Sequence, residues 1–255
     1  MLAEKIGRVV LEALRDGVGF FALLRQAAGR WRALARWPVR QVFYKQIYFT
    51  GIEALGAISV IATLAGIAIT TQIVSLAGAD KALTSRIMLW TIVRELGPLF
   101  AAIVVTARSS SATASELAGM SIRGELDSLR RLGIAPLDYL VVPRVAGITV
   151  AIMAVTVYFQ FIAIITGFAF TALVYQSSFF TPLADVVSIL SLHEVSISLL
   201  KGLVFGLVIS GISCLYGLRV QHSITAVPRA ATGAVMRNLI AVFFLDGVIS
   251  YVAFF

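Results

Sequence analysis

Apolar residues fill five stretches of the chain that are long enough to cross a lipid bilayer. These stretches are Ile52–Val74, Met88–Ala107, Val145–Tyr175, Leu199–Leu218 and Leu239–Phe255. The hydrocarbon core of a bilayer is about 30 Å thick, and a helix needs about 20 apolar residues to cross it. The pattern therefore predicts an all-α integral membrane protein with about five transmembrane helices, the last beginning a turn or so before Leu239.

The first 49 residues have a different pattern, in which apolar and charged residues alternate at helical spacing. The apolar positions are Ile6, Val9, Val10, Ala13, Leu14, Val18, Phe21 and Leu24. With Trp31 and Trp37 at headgroup level, this segment is expected to form an interfacial amphipathic helix ahead of a transmembrane bundle over 50–255. A soluble helix packed on a partner is the alternative. A cleaved signal peptide is not expected, because no compact apolar core is followed by a small-residue cleavage site.

Composition supports a membrane protein and excludes several other classes. Of 255 residues, 59% are hydrophobic and 13% are charged, against about 25% charged residues in a soluble domain. This length favours one domain spanning 1–255. The single cysteine, Cys214, excludes an internal disulfide and a cysteine-based metal cage, and His193 and His222 lack partners at ligand spacing. No metal or other cofactor is expected on this chain.

Lys and Arg residues are distributed unevenly among the segments between the predicted spans. Residues 1–49 hold nine, 108–144 five and 219–237 three, whereas 75–87 hold two and 176–201 one. Segments rich in Lys and Arg stay in the cytoplasm. Five spans therefore place the N-terminus inside and the C-terminus on the far side. This topology explains the net charge of +8 better than binding to nucleic acid does.

The second predicted span contains charged residues and a helix-breaking dipeptide. Arg94 and Glu95 lie within it and precede Gly97-Pro98. One charge at the bilayer centre costs about 2.5–3.5 kcal/mol on insertion scales, and proline removes a backbone donor. The helix is expected to bend or break here and to free carbonyl groups. Charges at such a break favour a functional site, and a structural ion pair with another span is the alternative.

The segment after this span predicts a short amphipathic cytoplasmic helix. Ile122, Leu126, Leu129 and Leu132 share one helical face, while Arg123, Asp127, Arg130 and Arg131 lie mostly on the other. Gly133 and Pro136 supply stop signals. A soluble partner can grip such a helix, or the helix can rest on the membrane.

Residues 93–145 resemble one known family. The resemblance lies in Arg94-Glu95-Leu96-Gly97-Pro98, Ala107-Arg108-Ser109, Glu116-Leu117, Met120, Leu126-Asp127-Ser128-Leu129, Leu132-Gly133-Ile134, Pro136 and Val141-Val142-Pro143-Arg144-Val145, and more weakly in 41–72 and 229–246. This order of motifs is similar to that of the MlaE family, the permease subunits of ABC transporters that move lipids with MCE-domain proteins. The chain departs from the family at Gly124-Glu125, where members usually carry Glu-Gln, and in residues 219–225, which are usually glycine-rich.

The resemblance implies an assembly with several partners in the bacterial inner membrane. Members of the family are homodimers that carry cytoplasmic ABC ATPase subunits, which hold the ATP and Mg, with MCE-domain proteins on the periplasmic side and a small STAS-type accessory protein as a further partner. The helix around 122–132 would be the coupling helix between spans two and three. The residues that the resemblance implies for ATPase coupling are Glu116, Ile122, Glu125, Leu126, Asp127, Leu129 and Arg131.

The resemblance also implies a lipid cavity between two permease copies. Arg94 and Glu95 would lie near it, with Leu96 and Leu99 in its walls and Ile69, Gln72 and Leu76 as further lining. A phospholipid needs an apolar slot for its tails and a cation for its phosphate. The lipid class and the direction of transport are left open.

Two other functions fit the same residues. The chain has no Gly-x-x-x-x-Gly-Lys-Ser/Thr loop, so ATP hydrolysis is expected on a partner chain and no enzyme activity on this one. A proton-coupled secondary transporter that uses Glu95 and Asp246 is the first alternative, and a structural membrane anchor is the second.

The fourth predicted span contains a stripe of small residues, formed by Gly202, Gly206 and Ser210, that suits either a subunit contact or internal packing.

Overall fold

A computed structural model shows a helical membrane bundle. It describes the backbone of residues 2–77, 81–175, 179–220 and 223–254, and the side chains of 15–76, 83–174, 179–220 and 223–253. The apolar positions predicted at 6–14 and His222 lie outside the described side chains.

Eleven α-helices account for most of the described residues. They are α1 (Leu2–Gly29), α2 (Trp37–Thr50), α3 (Leu55–Ala77), α4 (Lys81–Leu89), α5 (Gly97–Val105), α6 (Ser111–Ile122), α7 (Glu125–Arg131), α8 (Val142–Tyr175), α9 (Phe180–Ile189), α10 (Leu192–Leu218) and α11 (Ala226–Phe254). Two 3-10 turns, Trp31–Ala35 and Ile52–Ala54, lie on either side of α2. Three π-helical segments, Trp90–Leu96, Thr106–Ser110 and Leu137–Val141, join helices end to end.

The α-helices and the segments that join them form longer continuous rods. Five of these rods are long and apolar enough to cross a membrane, as the sequence predicted. They are span one (Trp37–Leu76), span two (Leu83–Ile122), span three (Leu137–Val174), span four (Leu192–Leu218) and span five (Ala226–Ala253). Most extend beyond the apolar stretches, and span five begins well before the turn or so expected ahead of Leu239. Polar residues such as Arg229 and Arg237 end the apolar signal without ending the helix.

The long helix α8 forms the centre of the bundle and packs against α2, α3, α5 and α10. Where α3 crosses it, a Cβ on Gly167 would lie 2.8 Å from the carbonyl oxygen of Gly66. Glycine therefore allows the two backbones to touch. The core beside this crossing includes Ile58, Met88 and Phe159, each with almost no exposed surface.

The small-residue stripe of α10 packs inside the subunit. A Cβ on Gly206 would lie 2.5 Å from Thr149 Cα of α8, and Gly202 faces Met153 at 3.5 Å. Ser210 is fully buried. Of the two interpretations left open by the sequence, internal packing is therefore the one observed.

The connection between spans three and four contains a helix that the sequence analysis missed. Helix α9 packs against α4 and buries Val186. Its ten residues are too few to cross a bilayer, so a search for spans passes over them. Lys201, counted in this connection from the sequence, lies instead in the tenth position of α10.

Helix α1 docks on the bundle through an acidic side chain. Asp16 forms ion pairs with Arg219 and, at 3.3 Å, with Arg237 Nη2, and it accepts a 2.7 Å hydrogen bond from the Tyr216 hydroxyl. Partial burial raises the pKa of Asp16, but the hydrogen bonds from Tyr216 and Arg219 and the charge of Arg237 outweigh it and lower the pKa below 3.8.

One face of α1 is covered and another is open. Leu23 and Ala27 are buried against the bundle, whereas Val18 and Phe21 are each 71% exposed. The helix predicted from the amphipathic pattern is therefore present, and its covered face packs against the bundle of this same chain. The position of its open face at the membrane surface stays a prediction.

The helix predicted over 122–132 is divided in two. Ile122 ends α6, and α7 begins at Glu125 after Gly124, which has a φ of 72°. Only glycine adopts this left-handed conformation without strain. Gly124 is thus a turn residue between helices, which explains a glycine where an unbroken helix would disfavour it.

Gly124→Ala is expected to destabilise the protein by about 1 kcal/mol, because alanine is strained at this positive φ. The measurement is the midpoint of thermal unfolding in detergent. Gly56→Ala is the matched control, since the Gly56 Cβ position in α3 is open and alanine is favoured in a helix. Equal midpoints for Gly124→Ala and wild type would contradict the assigned turn.

Candidate functional site

Span two continues as one helical rod through Gly97-Pro98, so of the predicted bend or break the break does not occur. A π-helical segment, Trp90–Leu96, absorbs the proline, and Pro98 lies in the first turn of α5. The Gly97 N–H donates to the Ile92 carbonyl, five residues back. In this register the next donor would be the N–H of residue 98, which proline lacks. The Val93 carbonyl thereby loses its helical partner.

A glutamine from another span provides the polar partner that the sequence analysis anticipated. Gln160 Nε2 on α8 donates to the Val93 carbonyl at 2.9 Å and to Ser198 Oγ at 2.6 Å. A Cβ on Gly97 would lie 2.6 Å from Gln160 Cγ. Gly97 is therefore required for Gln160 to approach the backbone, and spans two, three and four meet at this point.

Gln160→Leu is expected to destabilise the protein by about 1–3 kcal/mol, because it leaves a buried carbonyl without a donor. Denaturant titration in micelles measures the loss, with Gln72→Leu, at an exposed position of α3, as the control. Pro98→Ala in the Gln160→Leu background restores an N–H to Val93 and should recover part of the loss. Strictly additive effects of the two changes would contradict this account.

Arg94 and Glu95 lie where the sequence placed them, in the membrane-spanning part of span two. Arg94 is 5% exposed, and its Nε is 3.8 Å from Glu95 Oε1. This separation exceeds hydrogen-bond length, so the neighbours form only a loose ion pair. The close partner of Glu95 comes from another span.

Lys201 of span four holds the Glu95 carboxylate and is the main residue that sequence reasoning missed. Its Nζ donates to Glu95 Oε2 at 2.7 Å and to Ser250 Oγ at 2.8 Å, and Ser250 Oγ donates to the same carboxylate oxygen at 2.7 Å. Asp246 Oδ1 lies 2.9 Å from Lys201 Nζ as an ion pair whose angles do not make a hydrogen bond. Lys201 is fully buried.

Spans two, four and five thus assemble one ionic cluster, defined as Arg94, Glu95, Lys201 and Asp246. Its formal charge is zero when all four are ionised, which lowers the cost of burying it. The structure therefore contains the ion pair with another span that the sequence analysis gave as the alternative. Lys201 lies two residues after the start of the apolar stretch Leu199–Leu218, but the sequence analysis assigned it to the adjoining segment 176–201.

The other residues proposed for the lipid cavity are dispersed. Leu99 and Ile69 are partly buried against the central core, and Leu96 is partly buried at the end of the π-helical segment. Gln72 is exposed, and Leu76 is 81% exposed. Within the described part of one subunit, Gln72 and Leu76 therefore line an outer surface.

The residues proposed for ATPase coupling form two groups. Leu126 is buried, and Leu129 and Ile122 pack partly against the subunit's own apolar clusters. Four acidic or basic residues lie toward solvent: Glu116, Glu125, Asp127 and Arg131. The apolar face of α7 therefore anchors the helix to this subunit.

Residues 43–252 match the family model described as Permease MlaE. The chain belongs to the MlaE permease family. Two relatives match over most of their own length and most of this chain. A probable ABC transporter permease protein of Synechocystis sp. is 30% identical over 213 residues, which cover 82% of this chain and 81% of that protein. A probable ABC transporter permease protein of Rickettsia typhi is 26% identical over 259 residues, which cover 99% of this chain and 98% of that protein.

A third relative of this MlaE permease is a plant protein. The chloroplastic protein TRIGALACTOSYLDIACYLGLYCEROL 1 of Arabidopsis thaliana is 31% identical over 209 residues, which cover 81% of this chain and 59% of the plant protein. The match thus spans less than two thirds of that protein's length.

Family membership determines what kind of subunit this is. MlaE permeases are membrane subunits of ABC transporters, in which a separate subunit hydrolyses ATP. The chain is accordingly a multi-pass membrane protein with ATPase partner subunits and is not itself an enzyme. Apolar residues often replace a buried ionic group without loss of stability, so packing alone does not explain the ionic cluster of this MlaE permease.

Proposed function

We propose that this MlaE permease moves a phospholipid or related lipid, driven by its ATPase partner. The observation that supports it most is the ionic cluster, in which Arg94 and Lys201 bring two cations into the apolar part of the bundle. A phosphate group needs such cations, and the surrounding spans supply apolar surface for acyl chains. The name of the Arabidopsis relative contains that of a glycerolipid, which agrees with a lipid cargo.

The proposed transport orientation puts the Lys- and Arg-rich segments in the cytoplasm of a bacterial inner membrane. Lys201 is nine residues from the start of α10, or about 14 Å at 1.5 Å per residue. The cluster then lies in the outer half of the bilayer, on the side proposed for an MCE-domain partner. The STAS-type accessory protein is proposed for the cytoplasmic side.

A homodimer is proposed to complete the lipid cavity. Span five presents many exposed apolar side chains, among them Ile240, Phe244 and Val252. Such a surface requires either lipid or a second subunit. Because the cluster includes Asp246 of the same helix, a second copy seated near span five would place the two clusters close to one cavity.

Proton-coupled transport remains a distinct candidate because Glu95 and Asp246 both flank Lys201, at 2.7 and 2.9 Å. Carboxylates that share one lysine can exchange protons as the lysine moves. This candidate requires no ATPase, whereas an ABC permease depends on one.

The test is reconstitution of the permease with and without its co-purified ATPase in liposomes that contain a labelled phospholipid. We expect lipid transfer only with ATPase and ATP, and lipid in the mass spectrum of the purified complex. Arg94→Gln should remove that lipid while the ATPase still co-purifies, and Arg40→Gln, at an exposed position outside the cluster, should not. Transport by the permease alone that follows a pH gradient would replace this proposal with the proton-coupled one.

A further inference from the structure

A cavity lies away from the ionic cluster, at the end of the bundle that holds α2 and α6. Its volume is about 440 Å³, and its wall includes Lys45 and Gln46 of α2, Glu116 of α6 and Arg144 of α8. Arg144 and Gln160 are sixteen residues apart on α8, about 24 Å along the helix. The cavity is therefore separate from the site proposed for transport.

Arg144 is a buried cation with unused hydrogen-bonding capacity. The residue is 4% exposed. Its Nη2 lies 2.8 Å from Glu116 Oε1, and its Nη1 has no hydrogen-bond partner among the described atoms. A guanidinium carries five donors in a planar fork. A buried donor without an acceptor costs free energy, so an acceptor brought by a ligand would stabilise this arrangement.

The charge balance of the cavity favours an anion. Lys45 and Arg144 contribute two positive charges against one negative charge on Glu116, whose side chain is 59% exposed and so neutralises Arg144 only in part. Lys45 is exposed at the rim. Paired lysine and arginine donors suit the oxygens of a phosphate group.

Most of the remaining wall is apolar, which indicates what the anion is attached to. Val42, Phe49 and Leu140 line the cavity together with the aromatic Tyr139. Tyrosine is typical of the bilayer interface. A small hydrated ion makes no use of this surface, whereas a phosphate ester with an apolar body does.

We infer that this cavity binds a phosphate-bearing anion, with Lys45 and Arg144 as its donors and Glu116 holding Arg144 in position. A lipid headgroup and free phosphate share this chemistry. The inference does not depend on the proposed transport function, because the two sites use different residues.

The test measures binding of three probes to the full-length chain in detergent by isothermal titration calorimetry. The probes are short-chain phosphatidylglycerol, the matching uncharged diacylglycerol and inorganic phosphate. All titrations use the Arg94→Gln background, so that the central cluster does not contribute. We expect phosphatidylglycerol to bind at least ten-fold more tightly than diacylglycerol.

Two variants assign the binding to this cavity. Lys45→Gln should weaken phosphatidylglycerol binding about five-fold, as expected for one basic residue near a lipid surface, and Arg144→Gln at least ten-fold. Arg40→Gln, on the same helix and exposed, should leave the affinity within two-fold. Lys45 is exposed, so its variant is testable even where Arg144→Gln fails to fold.

The outcomes separate the two sources of phosphate. Inorganic phosphate binding that depends on Lys45, without binding of phosphatidylglycerol, would identify free phosphate as the ligand of the same anion site. Diacylglycerol binding as tightly as phosphatidylglycerol, or an affinity unchanged by Lys45→Gln for every probe, would overturn the inference.

Discussion

Lys201→Met is expected to lower the free energy of unfolding by about 3–5 kcal/mol. The substitution leaves the ionic cluster with one net negative charge inside the bundle, because Arg94 alone faces Glu95 and Asp246, and breaking a buried ion pair from one side carries a cost of this size. Both carboxylates lie within 3 Å of the ammonium group in the wild type. Reversible unfolding in mixed micelles, followed by circular dichroism, measures the loss.

A quadruple variant separates the structural part of this cluster from its proposed function. Arg94→Gln, Glu95→Gln, Lys201→Met and Asp246→Asn together remove all four charges of the ionic cluster, and replacement of a whole buried ionic group is often neutral. We expect its stability to return to within about 1 kcal/mol of wild type while lipid transfer with the ATPase stays below detection. Full transport by the quadruple variant would show that the cluster is only structural.

Leu132→Asp is expected to abolish recovery of the ATPase subunit while leaving the permease folded. Leu132 follows α7 and is 74% exposed, so a charge there costs the subunit little. The same residue is a large apolar group at the cytoplasmic surface proposed for coupling. A buried apolar contact of this size contributes about 1.5–3 kcal/mol, which is at least ten-fold in affinity. A pull-down with the tagged permease measures the recovery.

Two matched substitutions test the assignment of Leu132. Leu129→Asp places the same charge on the face of α7 that packs within the subunit, and we expect it to lower stability first. Leu192→Asp places it at an exposed leucine at the start of α10, the opposite end of the spans in the proposed topology, and should leave ATPase recovery unchanged. Equal ATPase recovery with Leu132→Asp and wild type would remove α7 from the coupling surface.

The five spans were predictable because each satisfies one strong local rule, about 20 apolar residues in sequence. The ends were less predictable, as in span five, where Arg237 and Asn238 interrupt the apolar pattern inside a continuous helix. Asn238 is fully buried and its Nδ2 donates to Ser110 Oγ at 2.7 Å. That partner is 128 residues away, so no local pattern reveals why the polar residue is tolerated.

The candidate site was predictable in part for a similar reason. Arg94 and Glu95 stand out because charge inside an apolar stretch is costly wherever the chain folds. Lys201 does not stand out, since it lies near the start of its apolar stretch, and Gln160 does not stand out because it is uncharged. Their roles depend on which helices become neighbours, and the π-helical segment at Trp90–Leu96 changes the direction in which span two presents its side chains.

The ionic cluster also has a consequence for the biogenesis of this protein. Its members enter the membrane in chain order, first Arg94 and Glu95, then Lys201 and finally Asp246. Span four carries Lys201, and a single lysine near the centre of a helix makes insertion into the membrane less favourable by about 2.5–3.5 kcal/mol. Glu95 is already in the membrane when span four emerges from the ribosome. We expect glycosylation-reporter assays to show efficient insertion of span four behind spans one to three and poor insertion of span four alone. A Glu95→Ala chain should then insert span four less completely, so that a residue of the proposed transport site also helps to retain the newly made helix in the membrane.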